Sequence, residues 1–599
     1  MTRRLSVALM AVGGLVLLSV VLVMVPRSWW GVVASGWPVL VPVAGGSTVL
    51  VAGVLLWRRD GVKHEVSAAP MPPDRQVRPL RAWVIPAGVV LVGAVTWAAV
   101  GWLQSSVPLA GDQVERARLR VESIRTGLTI GASVTAAFAL LLAFRRQQLA
   151  ERTQQAAEYD AGEKRVTELY VKAADQLGAA KAPVRLAGLY ALERLAQDNP
   201  AHRQSIVEVI CAYLRMPYTP PDDHPTPEPD APTPAVDITP AALIDATSGS
   251  DAAVVERREE RQVRLAAQRI LARHLRPATP EGEPNPLYWG MNVTLDLTEA
   301  VLIDLVFTGC HLHNATFTRT HFSGDSRFDK AEFHGDAWFG KATFGGDALF
   351  DKAEFHGDAW FGKATFGGDA LFGEAEFHGD AWFDEATFGG DALFGEAAFH
   401  GNAKLDEATF RGNALFGQAT FHGNAKLDEA TFRGNALFGQ ATFHGDTTWF
   451  DKATFSGIAW FGEATFGGNV QFVEAKFRNV WFGEAKFRGG ARFDAATFHG
   501  ETAWFDMATF SGTALFGEAT FEGDARFEKT TFEGEARFGR ATFSGDAWFG
   551  EATFSSTGRF DRATFRTASF EGAIFSSAAS FRGTTLAGMK YDGPESSVE

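Results

Sequence analysis

Ala342-Thr343-Phe344-Gly345-Gly346-Asp347-Ala348-Leu349-Phe350-Asp351-Lys352 is followed at once by Ala353-Glu354-Phe355-His356-Gly357-Asp358-Ala359-Trp360-Phe361-Gly362-Lys363. In both eleven-residue blocks a phenylalanine stands two places after an alanine, twice over, so Phe328, Phe333, Phe339, Phe344, Phe350, Phe355 and Phe361 alternate gaps of five and six. Strand side chains alternate between faces, so Ala and Phe two apart point the same way. Phe fills an axis, Ala leaves room for it, and the Gly-Asp or Gly-Asn between some segments supplies a turn. Outward from this middle the spacing tightens to a strict five. Leu297, Leu302, Phe307, Leu312, Phe317 and Phe322 begin the pattern, mostly with small residues two places earlier (Leu295, Ala300, Leu305, Cys310, Ala315, Thr320), and Phe560, Phe565, Phe570 and Phe575 close it. Of 50 phenylalanines, all but Phe138 and Phe144 lie beyond Ala300, which marks an internal repeat confined to one half of the chain.

A small residue two places before a central Leu or Phe resembles the pentapeptide-repeat family, and the five-plus-six spacing resembles a phenylalanine-rich variant of it. The resemblance covers Leu295 to Tyr591, about half of the chain. It implies a bacterial protein whose C-terminal half is an all-β, right-handed quadrilateral β-helix, here over 288–592, with a disordered tail at 593–599. Each coil takes about 22 residues, and some 13 or 14 coils about 4.8 Å apart make a rod of roughly 65 Å.

A period of 22 turns surface residues into ladders. His334, His356, His378, His400, His422 and His444 form one; Trp338, Trp360 and Trp382, continued by Lys404 and Lys426, a second; Leu349, Leu371, Leu393, Leu415 and Leu437 a third. Trp and Leu lie between an inward Ala and an inward Phe, so both face outward, on opposite sides of the rod. The ordinary reading of the histidines is a solvated turn; zinc binding or a pH response is the other, because imidazoles one coil apart can share a metal or repel when charged. A continuous apolar Leu stripe marks an interaction surface, expected to pack on the helical connector or on a second copy as a homodimer.

The N-terminal half reads as helical. Leu5–Val25 is apolar and long enough to cross a bilayer. It follows Arg3 and Arg4, but it exceeds a signal-peptide core and no convincing small-residue cleavage site follows, so it reads as a retained helix. Further transmembrane candidates are 38–57, 82–103 and 126–144, with Trp29, Trp30, Trp37, Trp57, Trp83 and Trp102 near their ends. Together they make a membrane domain over 1–146. Basic residues between Arg58 and Arg81, and Arg145 with Arg146, place both termini inside, against Arg116, Arg118, Arg120 and Arg125 on the outer loop. The expectation is a multi-pass protein of the inner or plasma membrane with the β-helix in the cytoplasm. No acidic residue lies inside a candidate span, so these helices read as an anchor. A cytoplasmic helical domain follows over 147–216. Its helices at Ala182–Gln197 and up to Met216, parted by Asp198-Asn199-Pro200, fit either an armadillo- or HEAT-like hairpin or a plain bundle. A Pro-rich linker covers 217–250, and a helix with lead-in covers 251–287.

Composition removes several functions. Two cysteines, Cys211 and Cys310, support neither a disulfide framework nor a cysteine-rich zinc module, and a net charge of −15 argues against direct nucleic-acid binding. Asp336, Asp347 and Asp358 recur by repetition rather than as a catalytic pair, and the Gly-Gly pairs are turns, not phosphate loops. The reading is therefore a membrane-tethered, non-enzymatic scaffold for a cytoplasmic protein partner, without cofactor. The alternative, implied by the resemblance, is a mimic of duplex DNA that inhibits a DNA-binding protein such as a topoisomerase: residues 321–400 carry 16 acidic and 5 basic side chains.

Overall fold

The computed structural model describes residues 94, 97, 101, 113–221, 240–279, 282–290 and 292–594, in two compact units, Met1–Ala161 and Gly162–Glu599. The candidate spans 5–25, 38–57 and 82–103 lie outside the described residues apart from three helical positions. The fourth, 126–144, falls inside α1 (Gln113–Leu177), where charged turns at Arg125 and at Arg145-Arg146 bound it. Among the described residues no helix is long and apolar enough to cross a membrane, so the structure does not support that span.

In the second unit the end of α1 is joined by α2 (Ala182–Asp198), a 3₁₀ turn (Pro200–His202), α3 (Arg203–Arg215) and α4 (Pro240–Leu275). At the stop between α2 and α3 the Asn199 side chain donates back to the Leu195 carbonyl at 2.9 Å and finishes α2. Leu189, Leu192, Ile206, Ile210, Val263 and Ile270 are buried together, so the helices form a small bundle. α2 crosses the end of α1 at Gly188, where a Cβ would meet the Ala173 carbonyl oxygen at 2.8 Å. α4 begins at Pro240, inside the stretch read as linker; proline fits a helix's first turn, whose amides have no intrahelical partner. Residues 222–239 of that stretch lie outside the described residues.

This bundle closes the first end of a β-solenoid. α3 packs on Thr294–Asp296 and α4 on Val301–Val306. The Gln268 amide bonds both the carbonyl (2.6 Å) and the amide (2.8 Å) of Ile303, so a side chain takes the place of a missing neighbouring strand. Arg264, buried, donates to the Leu214 and Met216 carbonyls at the end of α3 (2.9 and 2.6 Å), and its charge is met by Glu260 at 2.9 Å. Arg215–Asp296 and Arg261–Asp304 (3.0 Å) are further ion pairs between the bundle and the first coil. The segments flanking the Pro-rich stretch are thus docked into one cap with one continuous core.

Each coil has four short parallel sides. In one, Glu354-Phe355 pairs with Glu376-Phe377 of the next coil, Ala359-Trp360 with Ala381-Trp382, Thr365-Phe366 with Thr387-Phe388, and Ala370-Leu371 with Ala392-Leu393. The first sides form a 13-stranded sheet and the second sides a 14-stranded one; the third and fourth share a 22-stranded sheet. The alternate gaps of five and six come from alternate corners. Phe361-Gly362-Lys363-Ala364 is a tight turn closed by the Ala364 amide on the Phe361 carbonyl (2.9 Å), whereas His356-Gly357-Asp358 and Gly367-Gly368-Asp369 are wider bends. The third residue of the tight turns is left-handed without being glycine: Lys363 has φ 60° and Glu374 φ 55°, the sign a type II turn requires. That conformation costs about 1–2 kcal/mol per residue, offset where the same amide continues the ladder, as from Lys363 to the Asp384 carbonyl at 2.8 Å. In the wider bends glycine serves close approach rather than dihedral freedom. A Cβ on Gly379 would stand 2.5 Å from the carbonyl oxygen of Gly357, one coil earlier.

Inside, Phe and Ala are buried on all four sides as far as Phe565, while Phe570 and Phe575 near the far end are half-buried. Phe394 stacks on Phe372 (4.9 Å, 0°) and on Phe416 (4.8 Å, 1°), and meets Phe383 edge-on at 5.5 Å and 87°. Stacks therefore run along the rod and edge-to-face contacts across it, the two arrangements the ring quadrupole favours. Threonines that replace interior alanines satisfy their hydroxyls on carbonyls, as Thr530 does on Phe505 at 2.7 Å. At the far end Thr584–Leu586 turns back on Met589–Tyr591 in the antiparallel sense, and Tyr591 sets its ring edge-on to Phe581 at 5.6 Å. Phe394→Ala is expected to cost about 3–5 kcal/mol and Phe394→Leu less than about 1.5 kcal/mol in urea denaturation, since leucine keeps most of the volume.

Candidate interaction surface

The second side carries the predicted tryptophans. Trp338 stacks on Trp360 at 4.9 Å and Trp360 on Trp382 at 4.5 Å; the Lys404 ammonium then caps Trp382 at 3.0 Å from the ring centroid while paired to Asp380 at 3.1 Å. A cation over the indole face closes the stack electrostatically. Lys426 continues the column beside Asp406 at 3.2 Å.

The fourth side carries Leu349, Leu371, Leu393, Leu415 and Leu437 in register, all half-buried because each packs on the next. The column does not end there. Leu437 pairs with Trp460, Trp460 with Trp481, Trp481 with Trp504, Trp504 with Arg526, and Arg526 with Trp548. Arg526 lies over the Trp504 ring at 4.2 Å. A fixed step of 22 misses this continuation, because some coils here gain or lose a residue: Leu437 to Trp460 spans 23 and Trp460 to Trp481 spans 21. Following the Ala-x-Phe frame rather than the count would have found it. The helices α3 and α4 pack on the first coil.

The histidines occupy the corner after the first side and stack in one pile, with centroids 5.1 Å (His334–His356, His356–His378), 4.9 Å (His378–His400, His400–His422) and 5.3 Å (His422–His444) apart. Sequence reading missed their neighbours. Glu332, Glu354 and Glu376 lie 3.3, 3.6 and 3.4 Å from His334, His356 and His378, two places along the same outward row. Burial, with the charge of His311 beside it, holds the His334 imidazole below its ordinary pKa.

Aspartates form columns of their own. Asp325, Asp347 and Asp369 each accept the backbone N–H of the aspartate one coil on, at 3.1, 2.9 and 2.8 Å. At the turn after the second side Asp384, Asp406, Asp428 and Asp451 stand one above another. Burial, then the like charges of Asp451 and Asp406, push the Asp428 carboxyl above the usual carboxylate range. Cys211 and Cys310 are core residues, their thiols pushed up to about 12 by burial. Beside α4 and the first coil lies an open groove of about 790 Å³ bordered by Arg269, Arg273 and Arg276.

A closed stack of aromatic-cored coils carrying its chemistry in outward columns defines a repeat protein. The family model for pentapeptide repeats matches nine overlapping copies between 307 and 585, and the chain is a pentapeptide-repeat protein through this region. No curated protein and no solved structure matches the chain.

Asp428→Asn keeps an acceptor for the Asp451 amide, 3.0 Å away, and removes the charge. A carboxyl whose folded pKa is raised weakens the fold once ionised. The variant is therefore expected to be the more stable at neutral pH, its advantage shrinking as pH falls through the folded pKa and vanishing below the unfolded one. Urea midpoints of both proteins measured across that range check this; a constant difference contradicts it.

Proposed function

We propose that the solenoid is a non-enzymatic protein-interaction scaffold whose docking face is its fourth side. The observation that carries this reading is the unbroken column from Leu349 to Leu437 and on through Trp460, Trp481 and Trp504, all half-buried or exposed. Bulky apolar side chains in a straight row offer a partner both contact area and register, and Trp is enriched where binding energy concentrates. The occupant is a protein with a complementary apolar stripe, a second copy of this chain included. The interior supports the non-enzymatic part, since stacked rings and methyl groups take the space in which a substrate would sit. In the full chain, Leu371→Glu combined with Leu393→Glu is expected to keep the folded circular-dichroism signature while abolishing self-association in sedimentation and capture of a crosslinked partner. If both persist, the fourth side is not the docking face.

The acidic first coils favour DNA mimicry less than their charge count suggests. One oxygen of Asp325, Asp347 and Asp369 is engaged by the next coil's amide, and Lys352–Glu374 (3.2 Å) and Lys363–Glu385 (3.0 Å) neutralise part of the turn row. A phosphate backbone presents free anions instead.

Tethering of the scaffold to a bacterial inner membrane belongs to the same proposal. It rests on the apolar runs at 5–25, 38–57 and 82–103 and the arginines between them. The full chain is expected in the membrane pellet after alkaline carbonate extraction and a chain lacking residues 1–112 in the supernatant; release of the full chain by carbonate contradicts integral anchoring.

A further inference from the structure

The leucine column and its tryptophan continuation on the fourth side serve the docking face and the aspartates serve the backbone ladder; the first histidines serve neither. His311 stands directly over Glu332 in the strand register, and His334 leaves the same face two residues later. His311 Nε2 and His334 Nε2 each lie 3.3 Å from Glu332 Oε2, and His334 Nε2 lies 3.5 Å from His311 Nδ1. One potential ligand atom from each residue falls within 4.8 Å of the others. With metal–ligand bonds of about 2.0–2.1 Å, the donors of a tetrahedral site stand about 3.3–3.4 Å apart. Glu332 Oε2 already keeps that separation from the Nε2 atom of each imidazole.

Two features set this trio apart from the rest of the column. Its side chains are 21%, 33% and 22% exposed, against 38% and 44% for His356 and Glu354 one coil on. Tyr288, from the lead-in to the solenoid, sets its ring edge-on to His311 at 6.2 Å, and its hydroxyl is buried with no hydrogen-bond partner.

We infer that His311, Glu332 and His334 form a binding site for one divalent transition-metal ion of the zinc class. Two neutral imidazoles and a carboxylate suit a borderline ion and leave a fourth position to water. His311 turns one nitrogen to the carboxylate and the other to His334; rotation of the ring gives a single nitrogen to the ion. The bound ion ties the first coil to the second below the helical cap. Glu354–His356–His378 and Glu376–His378–His400 are more open versions that share His378, so they bind more weakly. Beyond them the carboxylate row ends, with Ala398, Thr420 and Thr442 in its place. This inference does not depend on the scaffold reading.

The test is titration of Co²⁺ into the purified full chain after chelator treatment, read by visible absorption and displaced by Zn²⁺, with thermal midpoints measured alongside. Wild-type protein is expected to show a Zn²⁺-displaceable cobalt band and a midpoint that rises with Zn²⁺. His334→Gln and Glu332→Gln are expected to weaken binding by more than about tenfold and to abolish the midpoint shift, while His422→Gln changes neither. His311→Gln is the substitute should either variant lose its circular-dichroism signature. No displaceable band in wild type overturns the site, as does unchanged binding in His334→Gln or an equal loss in His422→Gln.

Discussion

The separation of stacked phenylalanine rings, 4.8 Å where Phe394 meets Phe416, is the constraint on which the solenoid depends. Hydrogen-bonded strands lie about 4.7–4.9 Å apart, and aromatic pairs are favourable from about 4.5 Å. One translation therefore satisfies the backbone ladder and the core together, so neither has to distort for the other. Phenylalanine is the residue that exploits this, because a flat ring repeated at that step leaves no gap for the next. Alanine two places earlier is its necessary complement, since a larger group would occupy the space into which the ring turns.

The same translation acts on the outside without regard to chemistry. Rows of Trp, Leu and Asn gain contacts from it, whereas a row of aspartates is brought together against its own repulsion. The chain limits the cost in two ways: a carboxylate oxygen accepts the next coil's amide, and further along the aspartate is exchanged for asparagine, as where Asp380 gives way to Asn402 and Asn424. A stack also has ends, and an open end presents unpaired strand edges. At the first end Gln268 supplies an amide in place of the missing strand, and Arg264 consumes the carbonyls that would otherwise be stranded beneath it.

How much of this was legible in the sequence follows from which parts are local. The core was, because Ala-x-Phe repeats within a few residues and each copy repeats the evidence. The His, Trp and Leu columns were legible as far as Leu437 and lost at Trp460, where the coil length changes but the inward frame does not. The left-handed turn residues carried no signal: lysine and glutamate at Lys363 and Glu374 do not advertise positive φ as glycine would, and only the ladder reveals it. The docking of the cap left no local signal for a related reason. Proline between 217 and 250 looks like a spacer, whereas the contacts that dock its flanks, such as Arg264 to Leu214 and His274 to Glu193, join residues far apart in sequence.

A core that repeats this closely cannot itself distinguish one coil from another, so specificity has to come from the coils that depart from the rule. The departures here are coupled between inside and outside. Where Lys404 and Lys426 replace tryptophan on the second side, Leu405 and Leu427 replace phenylalanine behind them, and both features change in the same two coils. Where coil length changes, leucine gives way to tryptophan on the fourth side. Each departure changes the side chains of one column while the backbone ladder runs on, so a partner reading the surface meets distinct segments on an otherwise uniform rod. The first coils, with their glutamate–histidine row beneath the cap, are one such segment; the Leu stripe and the later Trp stripe are two others.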